Sequence, residues 1–231
     1  PVILQLLDDR LVADDDDREL FRREVLLADF LDLLGADGAD YRSVEFVGET
    51  IDAMSIASRM VLTNLSMEMG AKAAMIPPDQ KTIDYVKSVT SKPFEVVLPD
   101  PDAVYARVID IDVTNLEPQI ACPHMVDNVK PVSALAGLPI HQALLGSCSN
   151  GRLEDLEVGA RLLAGKRIHA DVRMIIIPAS WQVYRDALDK GYIRTFIDAG
   201  AVIVNPGCGP CLGAHQGLLA PGERCVSSTN R

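Results

Sequence analysis

Cys148 and the pair Cys208 and Cys211 are the residues whose type and spacing could do chemistry. Cys148 stands in Leu144-Leu145-Gly146-Ser147-Cys148-Ser149-Asn150, where an apolar run breaks into a turn ahead of a helical pattern. The pair stands in Val204-Asn205-Pro206-Gly207-Cys208-Gly209-Pro210-Cys211, again directly after an apolar run. A closed structural metal site takes four protein ligands, whereas a catalytic one keeps a position open for substrate. Three thiolates with no obvious fourth ligand therefore predict a metal centre with an open corner. Three chemical readings compete at this level, beside the plain one of packed thiols. Cys-Gly-Pro-Cys has the spacing of a redox dithiol, although Gly207 rather than a Trp precedes it. Zinc would take the three cysteines with His215. An iron–sulfur cluster takes thiolates as its usual ligands. The glycines around the cysteines let backbone N–H groups approach the sulfurs, which stabilises a negative centre.

The elements that must position these residues are legible around them. An apolar run over 142–145 precedes Cys148, and a helix is expected over 152–163 with Leu153, Leu156, Ala160 and Leu163 on one face and Asn150 as its N-cap. The branched run over 172–177 reads as a buried strand. A helix capped by Ser180, a further helical turn over 193–199 and a strand over 201–204 lead into the Cys-Gly-Pro-Cys loop. This β-α-β-α-β alternation predicts an α/β fold with a mostly parallel sheet and helices on both faces. Ligands of such sheets bind beyond the carboxyl ends of the strands, where Cys148 and Cys208 both fall.

The first half reads as a separate α/β unit. Strands are expected over 2–6, 43–47, 73–76, 95–98 and 106–113, and helices over 21–34, 53–69 and 80–89. Residues 115–138, with three prolines, read as a linker. The domain expectation is therefore one unit over 1–120 and a second over 121–231.

Composition narrows the function classes. A net charge of −11 argues against sequence-independent nucleic-acid binding. The apolar run around 174–177 is cut by Pro178, far short of the roughly 20 residues of a membrane helix. Five cysteines without a signal-peptide pattern read as thiols or metal ligands in a reducing cytoplasm. The acidic run over 14–17 reads as a solvated loop. A chain that opens on Pro1 and closes on Arg231 reads as a fragment, whose active site is completed elsewhere.

Gly146-Ser147-Cys148-Ser149-Asn150 with Glu154-Asp155, Cys208-Gly209-Pro210-Cys211-Leu212-Gly213, Gly222-Glu223-Arg224-Cys225 and Ser227-Ser228-Thr229-Asn230-Arg231 resemble the aconitase superfamily. Within it they are most similar to the large subunits of 3-isopropylmalate dehydratase and homoaconitase. Val44-Glu45-Phe46-Val47-Gly48-Glu49 and Asn64-Leu65-Ser66-Met67-Glu68-Met69-Gly70 are similar to the second domain of that family. The resemblance spans about residues 20–231 and implies two α/β/α units of the iron–sulfur domain type. It implies a 4Fe-4S cluster on Cys148, Cys208 and Cys211, and a hydro-lyase that interconverts 2- and 3-isopropylmalate in leucine biosynthesis. It implies that Glu68 assists proton transfer, that Asn64 and Asn230 stand beside the cluster, and that Arg231 meets a substrate carboxylate. It further implies a small-subunit partner carrying a swivelling domain, and a first domain of the large subunit that is absent here. Homoaconitase, another malate-type dehydratase, and a non-catalytic zinc- or cluster-binding protein are the alternatives.

Overall fold

The structure, a computed structural model, describes residues 38–113, 116–213 and 215–229. Its first half runs β1 (Ser43–Glu45), α1 (Glu49–Ala53), α2 (Ile56–Leu65), a 3-10 turn (Ser66–Met69), β2 (Ala73–Met75), α3 (Gln80–Val89), β3 (Gln119–Ala121) and β4 (Val129–Pro131). The second half runs β5 (Gln142–Gly146), the single turn α4 (Ser147–Asn150), α5 (Leu153–Leu163), β6 (Arg173–Ile177), α6 (Trp181–Asp189), α7 (Tyr192–Ala199), β7 (Val202–Ile203) and β8 (Cys225–Ser227).

In the first half, Val61, Leu62, Leu65 and Met69 recur every three or four residues, so α2 and its 3-10 tail present one apolar face. That face closes a core with Phe46, Ile51, Met54 and Ala71. β1 and β2 pair in parallel beside it. The single helix expected over 53–69 is divided. Ser55 Oγ accepts from Ser58 N–H at 3.1 Å, capping a new helix start. Gly70 in the left-handed region ends the 3-10 tail. Arg59 is buried on the same helix, where its Nη2 meets Asp79 at 2.6 Å. This neighbour holds the Asp79 carboxyl well below its ordinary range.

Three further expectations are corrected. Residues 95–98 and 106–113 are not strands, and Val97, Leu98, Val104 and Val108 stand exposed. Pro93 and Pro99 flank 95–98 and carry no N–H for a ladder, whereas no proline falls within 106–113. The expected linker over 115–138 folds into the antiparallel pair β3–β4, with Ile120 opposite Lys130. Its connection is closed by Cys122 N–H donating to Asn128 O at 2.8 Å. The elements expected over 2–6 and 21–34 and the acidic run lie outside the described residues.

The second half holds a four-stranded sheet in the order β7-β6-β5-β8, parallel throughout. Helices α5, α6 and α7 cover one face, packing Leu156, Leu163, Ala187, Ile193 and Phe196 against Leu145 and Ile176 of the sheet. The other face is smaller. Leu144, Ile175 and Ile177 pack there against Val204 and Cys225, and the loop glycines Gly209 and Gly217 approach Ile177 and Ile175. Among the described residues a loop thus covers the face for which a helix was expected. The N-cap also differs: α5 starts after Arg152, whose N–H donates to Asp155 Oδ2 at 2.7 Å. Asn150 instead directs its amide to Ser228 O.

Candidate metal centre at the carboxyl edge of the sheet

β5 ends on Gly146, at φ +140° and so close to β6 that a Cβ would lie 2.2 Å from Ile177 O. Only glycine fits there. Gly146 N–H donates to Ser228 Oγ at 2.9 Å, and Ser228 N–H donates to Leu144 O at 2.9 Å. The chain then turns through Ser147, itself at φ +72°, into α4, which leaves Cys148 exposed. Gly151 closes this turn against the same Ile177 carbonyl, and its own carbonyl accepts from Ala179 N–H at 2.8 Å.

The second cysteine loop leaves β7, after Val204 N–H donates to Ile176 O at 3.0 Å. It tightens into a 3-10 turn over Gly209–Cys211, with Cys211 N–H donating to Cys208 O at 3.1 Å. A Cβ on Gly209 would lie 2.3 Å from Ile177 Cδ1. Ile177 is therefore the shared floor of both loops: its carbonyl backs the Cys148 turn and its side chain backs the Cys208–Cys211 turn. The two loops meet at one edge of the sheet. Helix α2 packs against α4, which brings the segment bearing Asn64 and Glu68 to this side. Ser55 Oγ donates to Glu154 Oε1 at 2.9 Å and ties that segment to the start of α5.

Asn64 is exposed near the end of α2, and Glu68 is half-buried in the 3-10 turn. Asn230 and Arg231 lie outside the described residues. His215 is exposed on the loop beyond Cys211. Cys148 and Cys208 are exposed and Cys211 is half-buried, and all three are free thiols. Thiols uncommitted to disulfides, on two loops at one strand edge, are the donor type that an iron–sulfur cluster takes. The donor set fits the group in kind. Among the described residues, no three His, Cys, Asp or Glu side chains stand assembled to hold a metal ion.

The opposite edge of the sheet is built differently. Gln142, fully buried, donates to Gly217 O at 2.7 Å and reaches Cys225 Sγ at 3.6 Å. Arg173 grips both oxygens of Glu223 at 2.8 and 2.7 Å. This pair draws the Glu223 carboxyl down to about 2, while burial pushes the Cys225 thiol up. Ile177 and Ser228 carry no reactive group, so reading for chemistry passes over them. Their signal is position: Ile177 ends an apolar run at Pro178, and Ser228 lies in the Ser-Ser-Thr-Asn-Arg segment.

The aconitase family (aconitate hydratase) model matches residues 26–139 and 130–231. A probable 3-isopropylmalate dehydratase large subunit of Methanothermobacter thermautotrophicus is 50% identical over 212 residues, covering 92% of this chain and 50% of the relative. A probable methanogen homoaconitase large subunit of the same organism is 48% identical over 220 residues, covering 95% and 51%. The 3-isopropylmalate dehydratase large subunit of Desulfitobacterium hafniense is 50% identical over 198 residues, covering 86% and 47%. The chain thus spans about half the length of these curated relatives.

Proposed function

The chain belongs to the aconitase family, and from that premise we propose that it is part of the large subunit of a cluster-dependent hydro-lyase. The proposed reaction is the reversible dehydration and rehydration of a hydroxy-diacid, interconverting 2- and 3-isopropylmalate in the leucine pathway. The single observation that carries it is the meeting of the Cys148 turn and the Cys208–Cys211 turn over Ile177. Relatives named as isopropylmalate dehydratase large subunits, at 50% identity, support the choice of substrate. The relative named homoaconitase, at 48%, keeps homocitrate as the second reading.

In this reading Cys148, Cys208 and Cys211 hold a 4Fe-4S cluster. When bound, such a cluster supplies a Lewis-acid iron that polarises the departing hydroxyl. The chain's own residues do the rest. Glu68 handles the proton of that hydroxyl as a general acid–base. Asn64 and Asn230 hydrogen-bond around the site, and Arg231 grips a substrate carboxylate with its planar fork. Two domains divided near residue 120 fit the presence of separate apolar clusters, one around Leu62 and one around Phe196. A small subunit with a swivelling domain completes the site, in the cytoplasm; among the described residues no helix is long and apolar enough to cross a membrane.

The test is an anaerobic assay of the iron-loaded chain with its small subunit, offered 2-isopropylmalate and homocitrate separately. Turnover of isopropylmalate at the higher kcat/KM supports the first reading. Preference for homocitrate moves the assignment to homoaconitase, and turnover of neither removes both.

A further inference from the structure

We propose that Arg152 binds one carboxylate of the hydroxy-diacid; this rests on the reading above and gives the same site a second anchoring residue. Arg152 stands four residues beyond Cys148, between α4 and α5, at the carboxyl edge of the sheet. Its Nε is sealed from solvent with no hydrogen-bond partner. Among the described residues its guanidinium forms no ion pair. The acids beside it are engaged elsewhere: Asp155 accepts from the backbone N–H of Arg152, and Glu154 from Ser55. Arg152 is half-buried overall, and it is the sealed Nε–H that lacks an acceptor, which is unfavourable for a hydrogen-bond donor. An acceptor from outside the chain relieves it.

The origin of the side chain is fixed. Gly151 is wedged against Ile177 O and its carbonyl is held by Ala179 N–H, so the backbone that launches Arg152 has little freedom. A guanidinium stays charged and fits a carboxylate through two parallel donors. The eleven-residue helix α5 adds the positive end of its dipole at the same place. A diacid presents two carboxylates, and Arg231 is assigned to only one. Arg152 meets the other.

The experiment uses Arg152→Gln and Arg152→Lys in the full chain, reconstituted with iron and sulfide and paired with its small subunit. Calorimetric titration measures the Kd of 3-isopropylmalate and of the two monoacids that each lack one of its carboxylates. Arg152→Gln is expected to weaken the diacid about ten- to hundredfold. One monoacid, the one lacking the carboxylate that Arg152 holds, should bind as it does to the unsubstituted protein. Arg152→Lys should recover part of the diacid affinity. Equal weakening of all three ligands, no weakening of any, or loss of visible cluster absorbance in both variants makes Arg152 a structural residue and overturns the inference. Absence of cluster absorbance in the unsubstituted chain is a separate result, which removes the proposed function itself.

Discussion

At the amino end of the four-stranded sheet, Cys225 is packed under Gln142 and beside an Arg173–Glu223 pair, and every polar neighbour has a partner. At the carboxyl end of the same sheet, Cys148 and Cys208 are exposed on turns whose backbones are pinned to Ile177. The residue type is the same at both ends; the surroundings are opposite. Where side chains satisfy one another, the result is a clamp that holds the loop after Cys211. Where the turns are held against Ile177, the thiols of Cys148 and Cys208 stay exposed. Rigid main chain beneath uncommitted side chains is what a preorganised site requires.

Substitutions can break that contrast. The largest effect is expected from Gly146→Ala, which places a methyl 2.2 Å from Ile177 O at a left-handed φ. Urea unfolding should show a loss of about 3 kcal/mol. At the amino end, Gln142→Leu deletes the donor to Gly217 O and should cost about 1–2 kcal/mol in the same measurement. Iodoacetamide labelling of the iron-free chain, read by peptide mass, should modify the exposed Cys148 and Cys208 about tenfold faster than the half-buried Cys225. Uniform labelling of the three would erase the contrast.

The smallest effect concerns acid. Glu223 falls from its ordinary 4.5 to about 2 in the fold, so its pairing stabilises the chain fully above pH 4.5. That contribution is lost as pH falls through the range between these values. Thermal midpoints of Glu223→Gln should lie slightly below those of the unsubstituted chain at pH 7, and the two should converge near pH 2. A gap that persists unchanged at pH 2 would place the effect elsewhere.

The elements of the second half were legible because their signals are local. Ser180 accepts from Val183 N–H at 3.2 Å as an N-cap, and Met174, Ile175, Ile176 and Ile177 form the uninterrupted apolar run of a buried strand. The first half was less legible where local and non-local terms compete. Ser55 restarts a helix that apolar periodicity alone extends through it, and the branched residues over 106–113 form no strand despite their β-propensity. At the site, cysteine types and spacing pointed to the carboxyl edge. The common floor at Ile177 could not be read, because it depends on Gly146 and the distant Gly209 approaching the same residue, one at its carbonyl and the other at its side chain.

The central claim is that Cys148, Cys208 and Cys211 act together as ligands. Anaerobic reconstitution with iron and sulfide, followed by visible absorbance and metal and sulfide analysis, tests it most directly. The account predicts broad absorbance near 400 nm with about four irons and four sulfides per chain, the composition of a 4Fe-4S centre. Serine at any one of the three positions should abolish it, whereas Cys225→Ser should not. Stoichiometric zinc without sulfide, or a cluster that survives Cys208→Ser, would contradict the claim.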